Sequence, residues 1–390
     1  METSREAVVD DEVDRCLLLR ARCASKGEAD PRADTSSSWF KRSGRRHVVC
    51  GGTRLATTAP SDQYPQRFVS RAVDSQSAPV ADIVIVSYRC RELVRAALEA
   101  LEEHKPYAPI QVCVVDNASH DGTAEMIRSD FPHVLVIDSG ANVGFAVACN
   151  IGIRRGSGRY VLALNPDTRI TPGALDKLLR FMDNHPEVGI CGCRLINEKG
   201  VFEPAAKRAF PTVTGALGYF LGIARRKRAP KRLAQYTAPD VEGGPVDAVC
   251  GACMLMRRSA LEEVGLFDEG YWMYQEDLDL CYRFHEAGWI TWYEPSVTVM
   301  HFWGGSSGRS RSPRLNYAFH YGMYRFYRKH YARNRSPAVN LVVYLGILAK
   351  LVLSIGRSSV RRAAVRLRRH ANHSSNVRAV AELKVPKQRG

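Results

Sequence analysis

The sequence has few long hydrophobic runs, and this scarcity limits the classes of protein that it can encode. Hydrophobic residues make up 45% of its 390 residues, but only residues 338–356 approach the roughly 20 apolar residues that a membrane-spanning helix needs. A polytopic membrane protein is therefore excluded. Residues 1–14 are acidic and have no apolar core, so we expect no signal peptide here.

Well-spaced cysteine pairs are also lacking. The 11 cysteines are odd in number, and most lie within apolar runs, which predicts small buried thiols in a reducing compartment. The closest pairs are Cys250 with Cys253 and Cys191 with Cys193. Neither has a second pair or a His-x-His motif at zinc-binding spacing, so we expect no zinc site.

Positive charge is what the chain has in excess. The 56 Lys and Arg outnumber the 40 Asp and Glu, which gives a formal net charge of +16 and predicts an anionic membrane surface, nucleic acid or phosphorylated substrate as partner. The charge is concentrated at residues 225–232, with six basic side chains, and at residues 357–390, with ten basic residues and one Glu. Because no nucleic-acid-binding motif accompanies it, we expect no nucleic acid and favour membrane phosphates.

Composition changes along the chain divide it into four parts. Residues 1–78 are rich in Ser, Thr, Arg, Asp and Ala, which predicts a disordered or low-complexity extension. Residues 79–310 carry the pattern of an α/β domain. Residues 311–335 predict an aromatic-rich helix packed on that domain, and residues 336–390 an apolar helix followed by a basic tail.

The apolar stretch at residues 338–356 has two interpretations. It contains Asn340 and Lys350, so it is marginal as a spanning helix. An apolar helix beside a basic tail is typical of an interfacial anchor on anionic lipid, and this is the favoured prediction. The alternative is a core helix packed against the catalytic domain.

Strands and helices alternate in the first half of the domain. Apolar strands are predicted at 82–86, 111–115, 134–137 and 160–164, between helices at 91–103, 123–129 and 143–154. The spacing indicates a parallel, doubly wound sheet, in which ligands bind beyond the carboxyl ends of the strands. Ser87, Asp116 and Asp167 stand at those ends.

The second half continues the α/β pattern less regularly. It predicts helices at 171–184, 276–287 and 314–331, and strands at 188–194, 252–256, 290–293 and 297–300.

Two acidic turns follow predicted strands. Asp116 begins a polar turn and is suited to hydrogen bonding with a base or ribose, whereas Ser119 and Asp121 are better explained as caps of the next helix. Asp167 closes Asn-Pro-Asp and is suited to bind a divalent cation, although this tripeptide is also a common turn.

A third acidic group and a late histidine complete the candidates. Glu276 and Asp277 could serve as a general base in a cleft, whereas Asp279 is expected only to favour the helix dipole. His301 precedes a Gly-Gly-Ser-Ser-Gly segment at 304–308, whose backbone amides could approach phosphates.

Six motifs follow one another across about residues 80–310. They are Val-Ser-Tyr, Asp-Asn-Ala-Ser-x-Asp-Gly-Thr, Asn-x-Gly-Phe-x-x-x-x-Asn, Asn-Pro-Asp, Gly-Ala-x-Met-Leu-x-Arg-Arg and Glu-Asp-x-Asp-Leu-Cys-x-Arg. In this order they resemble family 2 glycosyltransferases of the GT-A type, and within them the rhamnosyltransferase-like subgroup acting on polyprenyl-diphosphate-linked sugars. The resemblance implies a Rossmann-like, mostly parallel central sheet flanked by helices, with a C-terminal helical extension.

The resemblance also implies a role for each matching residue. Asp277 would be the catalytic base with Glu276 alongside, Asp167 and His301 would bind the metal, and Gly251 and Trp272 would bind the acceptor. Asn165 stands where many members carry an acid, which weakens the implied metal motif. The residues implied to bind the nucleotide-sugar are Ser87, Tyr88, Asp116, Asn117, Asn142, Gly144, Phe145, Asn150, Asn165 and Asp167.

By resemblance, then, the chain is expected to be an inverting glycosyltransferase dependent on Mg²⁺ or Mn²⁺. It would move a sugar, rhamnose first, from a dTDP- or UDP-sugar to a polyprenyl-diphosphate-linked or glycan acceptor in cell-envelope glycan synthesis. Galactofuranose, N-acetylglucosamine and glucose are alternative sugars. Its expected place is the cytoplasmic face of the cell membrane. Nucleotidyl transfer is disfavoured because residues 87–91, after the first strand, contain no glycine.

Overall fold

The computed structural model describes residues 78–212, 241–302 and 312–382. Three predicted features lie outside these residues: nearly all of the N-terminal extension at 1–78, the basic segment at 225–232 and the Gly-Gly-Ser-Ser-Gly segment at 304–308.

The first half folds as alternating strands and helices, as its apolar pattern predicts. The strands are fully buried where they lie in the middle of the sheet, since helices cover both faces. The elements are β1 (Ala81–Ser87), α1 (Arg91–Glu103), β2 (Ile110–Asp116), α2 (Thr123–Asp130), β3 (Leu135–Asp138), α3 (Phe145–Ile153) and β4 (Tyr160–Leu164).

The second half is less regular, because short strands interrupt it. A 3₁₀ turn at Pro204–Ala206 precedes β7. The elements are β5 (Thr168–Ile170), α4 (Ala174–Asn184), β6 (Val188–Ile196), β7 (Lys207–Arg208), β8 (Gly244–Pro245), β9 (Ala248–Val249), β10 (Cys253–Arg257), α5 (Arg258–Val264), α6 (Glu276–Glu286) and β11 (Ile290–His301).

Among the described residues, nine strands form one mixed sheet, with the order β3-β2-β1-β4-β10-β6-β11-β5 and β8 paired to β11. Strands β3, β2, β1 and β4 are mutually parallel, as are β6 and β11. Strand β10 runs antiparallel to both β4 and β6. The predicted α/β class and mostly parallel central sheet are confirmed, and β7 with β9 adds a small second sheet.

Two apolar clusters, one on each face of the sheet, form the core. One includes Ile83, Val94 and Leu178, where α1 and α4 pack. The other includes Val84, Ala148 and Phe284, where α3 and α6 pack. Burying branched side chains on alternate sides of β1 fixes its register, since a shift by one residue would exchange the two faces.

One predicted boundary was wrong. The separate strands expected at 290–293 and 297–300 are a single strand, β11, whose pairing with β6 is irregular between Glu294 and Thr298. Pro295 lies in that interval and has no backbone N–H to donate to a ladder. The missing donor accounts for the irregular pairing. Pairing with β6 resumes at Thr298, and the strand continues to His301 at the sheet edge.

Two helices follow the sheet. Helix α7 (Pro313–His330) begins at Ser312, whose hydroxyl accepts a hydrogen bond from Leu315 N at 3.2 Å. Helix α8 (Pro337–Glu382) follows a 3₁₀ turn at Ala332–Asn334. The predicted C-terminal helical extension is therefore present.

Candidate active site

Hydrogen bonds of Asn117 join the ends of the first strands. Its backbone N–H donates to Ser87 O at 2.8 Å, and its side-chain oxygen accepts from Ser139 Oγ at 3.1 Å and Val143 N at 2.9 Å. Its amide nitrogen donates to Asn142 Oδ1 at 3.2 Å. Asn117 is buried and thus shapes the predicted nucleotide loop from behind, while Asn142 stays half-buried.

Asp116 lies beside this network, at the end of β2. Its carboxylate accepts a hydrogen bond from Ser119 Oγ, which itself accepts one from Arg89 N at 3.0 Å. Burial raises the pKa of Asp116, and the bonds from Ser119 partly offset this. Tyr88, 37% exposed, is the neighbouring side chain open to solvent.

Asp121 caps helices, as predicted. One carboxylate oxygen accepts from Thr123 N at 3.1 Å, at the start of α2, and the other accepts from Arg91 N at 3.2 Å, at the start of α1. A carboxylate at two helix N-termini satisfies amides that have no partner within the helices.

A close backbone approach fixes the loop that leads into α3. A Cβ on Gly144 would lie 2.4 Å from Trp272 O, and Gly144 has a φ of +89°. Phe145 N donates to the same Trp272 oxygen at 2.8 Å, and Trp272 Nε1 reaches Asn142 O at 3.5 Å. Trp272, predicted to bind the acceptor, therefore lies against the predicted nucleotide loop.

Two predicted nucleotide-binding side chains are turned into the protein. Ser87 is completely buried, with its hydroxyl 3.6 Å from Cys90 Sγ. Asn150 is 1% exposed, and its amide donates to Phe267 O at 2.8 Å and accepts from Phe267 N at 3.1 Å. The polar atoms of both side chains therefore bond within the protein, and nucleotide-sugar binding by Ser87 and Asn150 stays a prediction.

Asp167 and His301 meet at the next part of the edge. His301 ends β11, which pairs with β5 directly after Asp167, and the His301 Nε2 atom lies 3.5 Å from Asp167 Oδ1. The other ring nitrogen, Nδ1, lies 2.6 Å from Glu203 Oε2. Burial disfavours a charged imidazole, but hydrogen bonds to Asp167 and Glu203 outweigh it and raise the pKa of His301 to about 9.

The Asp167–His301 pair fits a divalent cation. In the described ranges no group of three or more His, Cys, Asp or Glu side chains forms a complete metal site, but Mg²⁺ commonly takes one or two carboxylates plus substrate phosphates. A separation of 3.5 Å suits two ligands of one ion. A carboxylate on the second nitrogen of a ligating histidine, here Glu203, is the usual outer partner.

Asp277 lies in the first turn of α6 and is held by three donors. Arg208 Nη2 donates to its Oδ2 at 2.6 Å, Gly251 N to the same oxygen at 3.1 Å, and Leu278 N to Oδ1 at 2.7 Å. Arg208 also donates to Val249 O at 2.9 Å. The donors fix the carboxylate's direction and match its charged form.

Glu276, next to Asp277, has a different environment. It is 6% exposed, and its Oε2 is a buried atom with no hydrogen-bond partner among the described residues. Burial first, and the charge of Asp277 second, raise the pKa of Glu276 to about 8. The buried, unbonded oxygen and the raised pKa both favour the protonated form of Glu276.

One short turn connects the neighbourhoods of Asp167 and Asp277. Asn165 N donates to Ala252 O at 2.9 Å, which ties the Asn-Pro-Asp turn to residue 252. Its neighbour Gly251 donates to Asp277. Strands β4 and β10 pair directly beneath, with Leu164 opposite Cys253. Asp277 is thus bonded to Gly251, and Asp167 lies two residues beyond the bond from Asn165 to Ala252.

Comparison with known proteins decides the family. Residues 82–265 match the model "Glycosyl transferase family 2". The chain is 32% identical over 218 residues to N-acetylglucosaminyl-diphospho-decaprenol L-rhamnosyltransferase of Mycobacterium tuberculosis, covering 53% of this chain and 71% of the relative. The chain is a family 2 glycosyltransferase.

One further relative and one solved structure are also similar to this chain. Rhamnosyltransferase WbbL of Escherichia coli K12 is 26% identical over 230 residues, 56% of this glycosyltransferase and 82% of the relative. Among solved structures, a mannosyltransferase of Pyrobaculum calidifontis in complex with GDP-Man and Mn²⁺ has a TM-score of 0.46 and 16% identity, covering 80% of this chain and 83% of that one.

Asp279 of this glycosyltransferase does more than favour the helix dipole, contrary to expectation. It is completely buried and pairs with Arg283 at 2.8 Å, Lys329 at 2.8 Å and His330 at 2.8 Å. Burial opposes its charge, but the bonds from His330 and Lys329 hold the pKa of Asp279 well below its usual range. Asp279 therefore anchors α7 to the catalytic domain.

Two residues of the site were missed from the sequence. Glu203 Oε2 lies 2.6 Å from His301 Nδ1, and Arg208 donates to Asp277 at 2.6 Å. Both lie between β6 and β9, where short elements give no clear periodicity. In the sequence, these two residues are marked only as charged side chains that flank a short apolar segment. Such a pattern does not distinguish a functional site from a solvated loop.

Proposed function

We propose that this glycosyltransferase moves a sugar, with rhamnose the first choice, from a dTDP- or UDP-sugar to a hydroxyl of a polyprenyl-diphosphate-linked acceptor, with inversion at the anomeric carbon. The observation that carries it is the placement of Asp277 and the Asp167–His301 pair around residues 251 and 252. The mycobacterial relative is an N-acetylglucosaminyl-diphospho-decaprenol L-rhamnosyltransferase, which supports both the sugar and the acceptor.

Asp277 acts as the general base in this proposal. It takes the proton of the acceptor hydroxyl as the oxygen attacks the anomeric carbon, and the bond to the nucleoside diphosphate breaks on the opposite face. A single displacement inverts that centre. Arg208 and Gly251 keep one carboxylate oxygen fixed, so orientation adds to the effect of proton transfer.

Asp167 and His301 are proposed to hold Mg²⁺ or Mn²⁺, which supplies positive charge near the departing diphosphate. Glu203 keeps the His301 ring in place through Nδ1. At the other side of the site, Asp116 is proposed to accept a hydrogen bond from the nucleotide base, with Tyr88, Asn142 and Phe145 around it. These side chains are partly exposed beside the buried carboxylate.

The chain's positive charge and exposed C-terminal helix are proposed to place it on the cytoplasmic face of the membrane, where a lipid-linked acceptor would be. A net charge of +16 favours anionic lipid surfaces. Within the span Pro337–Val360, only 6% of the most apolar 18-residue stretch is buried. This exposure does not support a core helix. In length and composition alone, this span resembles a membrane-crossing helix.

A panel of sugar nucleotides tests the donor. We expect dTDP-rhamnose with Mn²⁺ to raise the melting temperature more than UDP-sugars or GDP-mannose, since a ligand that binds the folded state stabilises it by mass action. Product analysis should show free nucleoside diphosphate. Release of pyrophosphate would instead indicate nucleotidyl transfer, and no stabilisation by any donor would contradict the proposal.

A pair of substitutions tests the metal residues. Asp167→Ala should remove most Mn²⁺-dependent donor binding, and Glu203→Gln should weaken Mn²⁺ binding roughly 10–100-fold, since outer partners of metal-bound histidines have effects of this size. Calorimetry of Mn²⁺ binding in the presence of donor measures both. Glu198→Gln, an exposed glutamate of the same segment, is the matched control. Equal affinity in Glu203→Gln and the control would count against this role.

A further inference from the structure

Over residues 338–356, helix α8 presents one exposed face that is apolar. Within residues 338–356 its outward side chains are apolar, and the largest of them are more than half exposed. At about 1.5 Å per residue, this face is about 28 Å long. The large side chains are Leu341, Val342, Leu345, Leu348, Val352 and Leu353, exposed by 58, 68, 56, 54, 62 and 56%.

The opposite face of α8 packs against α7 along the same length. Asn340 Oδ1 accepts from Tyr327 Oη at 2.8 Å near one end. Near the other end, Asn316 bonds Ser354 at 2.9 Å and Ser358 at 2.7 Å. The two helices therefore run antiparallel, side by side, through the whole apolar stretch.

Helix α7 in turn lies against the catalytic domain from its first turn to its last. Arg314 stacks over the Trp272 ring at 4.1 Å, at the start of α7. A Cβ on Gly322, in the middle, would lie 2.9 Å from Tyr274 O. At the end, Lys329 pairs with Asp268 at 2.7 Å.

These contacts decide how α8 can meet a bilayer. If α8 crossed the hydrocarbon core, α7 and the ion-paired domain surface beside it would enter the core too, where charged groups and open backbone are costly. An orientation in the membrane plane avoids this, because only the outer face of α8 enters the lipid.

We propose that α8 lies in the plane of the membrane surface, with its outer apolar face in the lipid of an anionic bilayer, and that α7 joins it rigidly to the catalytic domain. The charge of the segment after this face indicates that its partner is an anionic lipid surface. Residues 357–390 carry ten Lys and Arg and one Glu, which anionic headgroups attract and which a second copy of the same face would repel. The inference deepens the proposed function and rests on it only for the lipid-linked acceptor.

Flotation tests the docking face with full-length protein. Vesicles of phosphatidylcholine with phosphatidylglycerol should carry the protein upward, and vesicles of phosphatidylcholine alone should carry much less. The double variant Leu345→Glu with Leu348→Glu should partition roughly a hundredfold more weakly, because two exposed leucines lose their lipid contact. The matched control, Tyr107→Glu with Val201→Glu, adds the same charges at sites 97 and 57% exposed and should float normally.

Accessibility of the C-terminus tests the orientation. With an epitope tag after Gly390, trypsin added to intact spheroplasts of a bacterial host should leave the tag, and trypsin added to inverted membrane vesicles should remove it. Loss of the tag in intact spheroplasts would show a spanning helix and overturn the proposal. So would failure of the wild type to float, or equal flotation of the two double variants.

Donor binding separates this inference from the proposed function. Both double variants should keep the donor-dependent rise in melting temperature, which also shows that they fold. If no donor stabilises the wild type while flotation behaves as described, the proposed function fails and the docking face stands.

Discussion

Asp277→Asn should lower glycosyl transfer by roughly 10²–10⁴-fold while the donor still binds, since this is the usual range for losing a general base. Asparagine keeps the shape of the side chain but cannot take the acceptor proton. The measurement is initial rate at saturating donor and acceptor, together with donor-dependent thermal stabilisation.

The matched control for this variant is Glu276→Gln, at the adjacent position. Because the pKa of Glu276 is raised to about 8, its side chain is largely neutral at pH 7, and glutamine reproduces that neutral form. We expect the control to keep most of its transfer activity. A normal rate in Asp277→Asn, or an equal loss in both variants, would contradict the assignment of the base to Asp277.

Arg208 also affects the result of this substitution, because it orients the Asp277 carboxylate. The guanidinium of Arg208 and the amide of Gly251 hold Asp277 Oδ2, so the asparagine variant would place an amide beside a cation. Because the substitution removes the charge of a mostly buried ion pair, we also expect a lower melting temperature, so retained donor-dependent stabilisation is the sign that the loss of transfer reflects lost chemistry.

The carboxyl ends of the parallel strands were predictable from the sequence. Short β-branched runs end at Asp116 and near Asp167, and in a doubly wound sheet such ends share one edge. The loop around Asn142 was assigned to the nucleotide only through the family resemblance, not through this rule. The helix α6 was also predictable, since its apolar period and acidic first turn agree.

What the sequence could not supply was the pairing of distant segments. Strand β10 runs antiparallel between two parallel groups, and only this arrangement brings Gly251 against Asp277 and Asn165 against Ala252. Glu203 and Arg208 reach the site from strands and turns of two or three residues, which are too short for a periodic signal. Their roles follow from tertiary contacts alone.

Helix α6 links the site to the C-terminal helices. Its first residue follows Tyr274 and Gln275, both in the left-handed region with φ of 70° and 72°, a conformation that costs of order 1–3 kcal/mol for a residue with a side chain. Gly322 of α7 packs against this turn, and Asp279, one turn into α6, is bonded to the end of α7. The position of Asp277 thus depends on α7 remaining attached.

Asp279→Ala should therefore destabilise the protein severely. The substitution leaves Arg283, Lys329 and His330 around a buried site that has lost its carboxylate, and removing one partner of a buried ion pair costs about 3–5 kcal/mol. At roughly 2–4 °C per kcal/mol for domains of 150–250 residues, the melting temperature should fall by several degrees or more. Thermal unfolding at pH 7 measures this.

The effect of Asp279→Ala on stability should depend on pH, because the contribution of Asp279 requires its charged form. Because the pKa of Asp279 lies below its usual range in the folded state, its contribution to stability is complete above the ordinary Asp pKa of about 3.9 and is lost as the pH falls. The difference between wild type and Asp279→Ala should therefore be constant near neutrality and shrink in acid. Asp130→Ala, which removes a surface partner of Arg95, should change the melting temperature little. An equally small change in Asp279→Ala would show that α7 is held by its other contacts with the domain and not by this carboxylate.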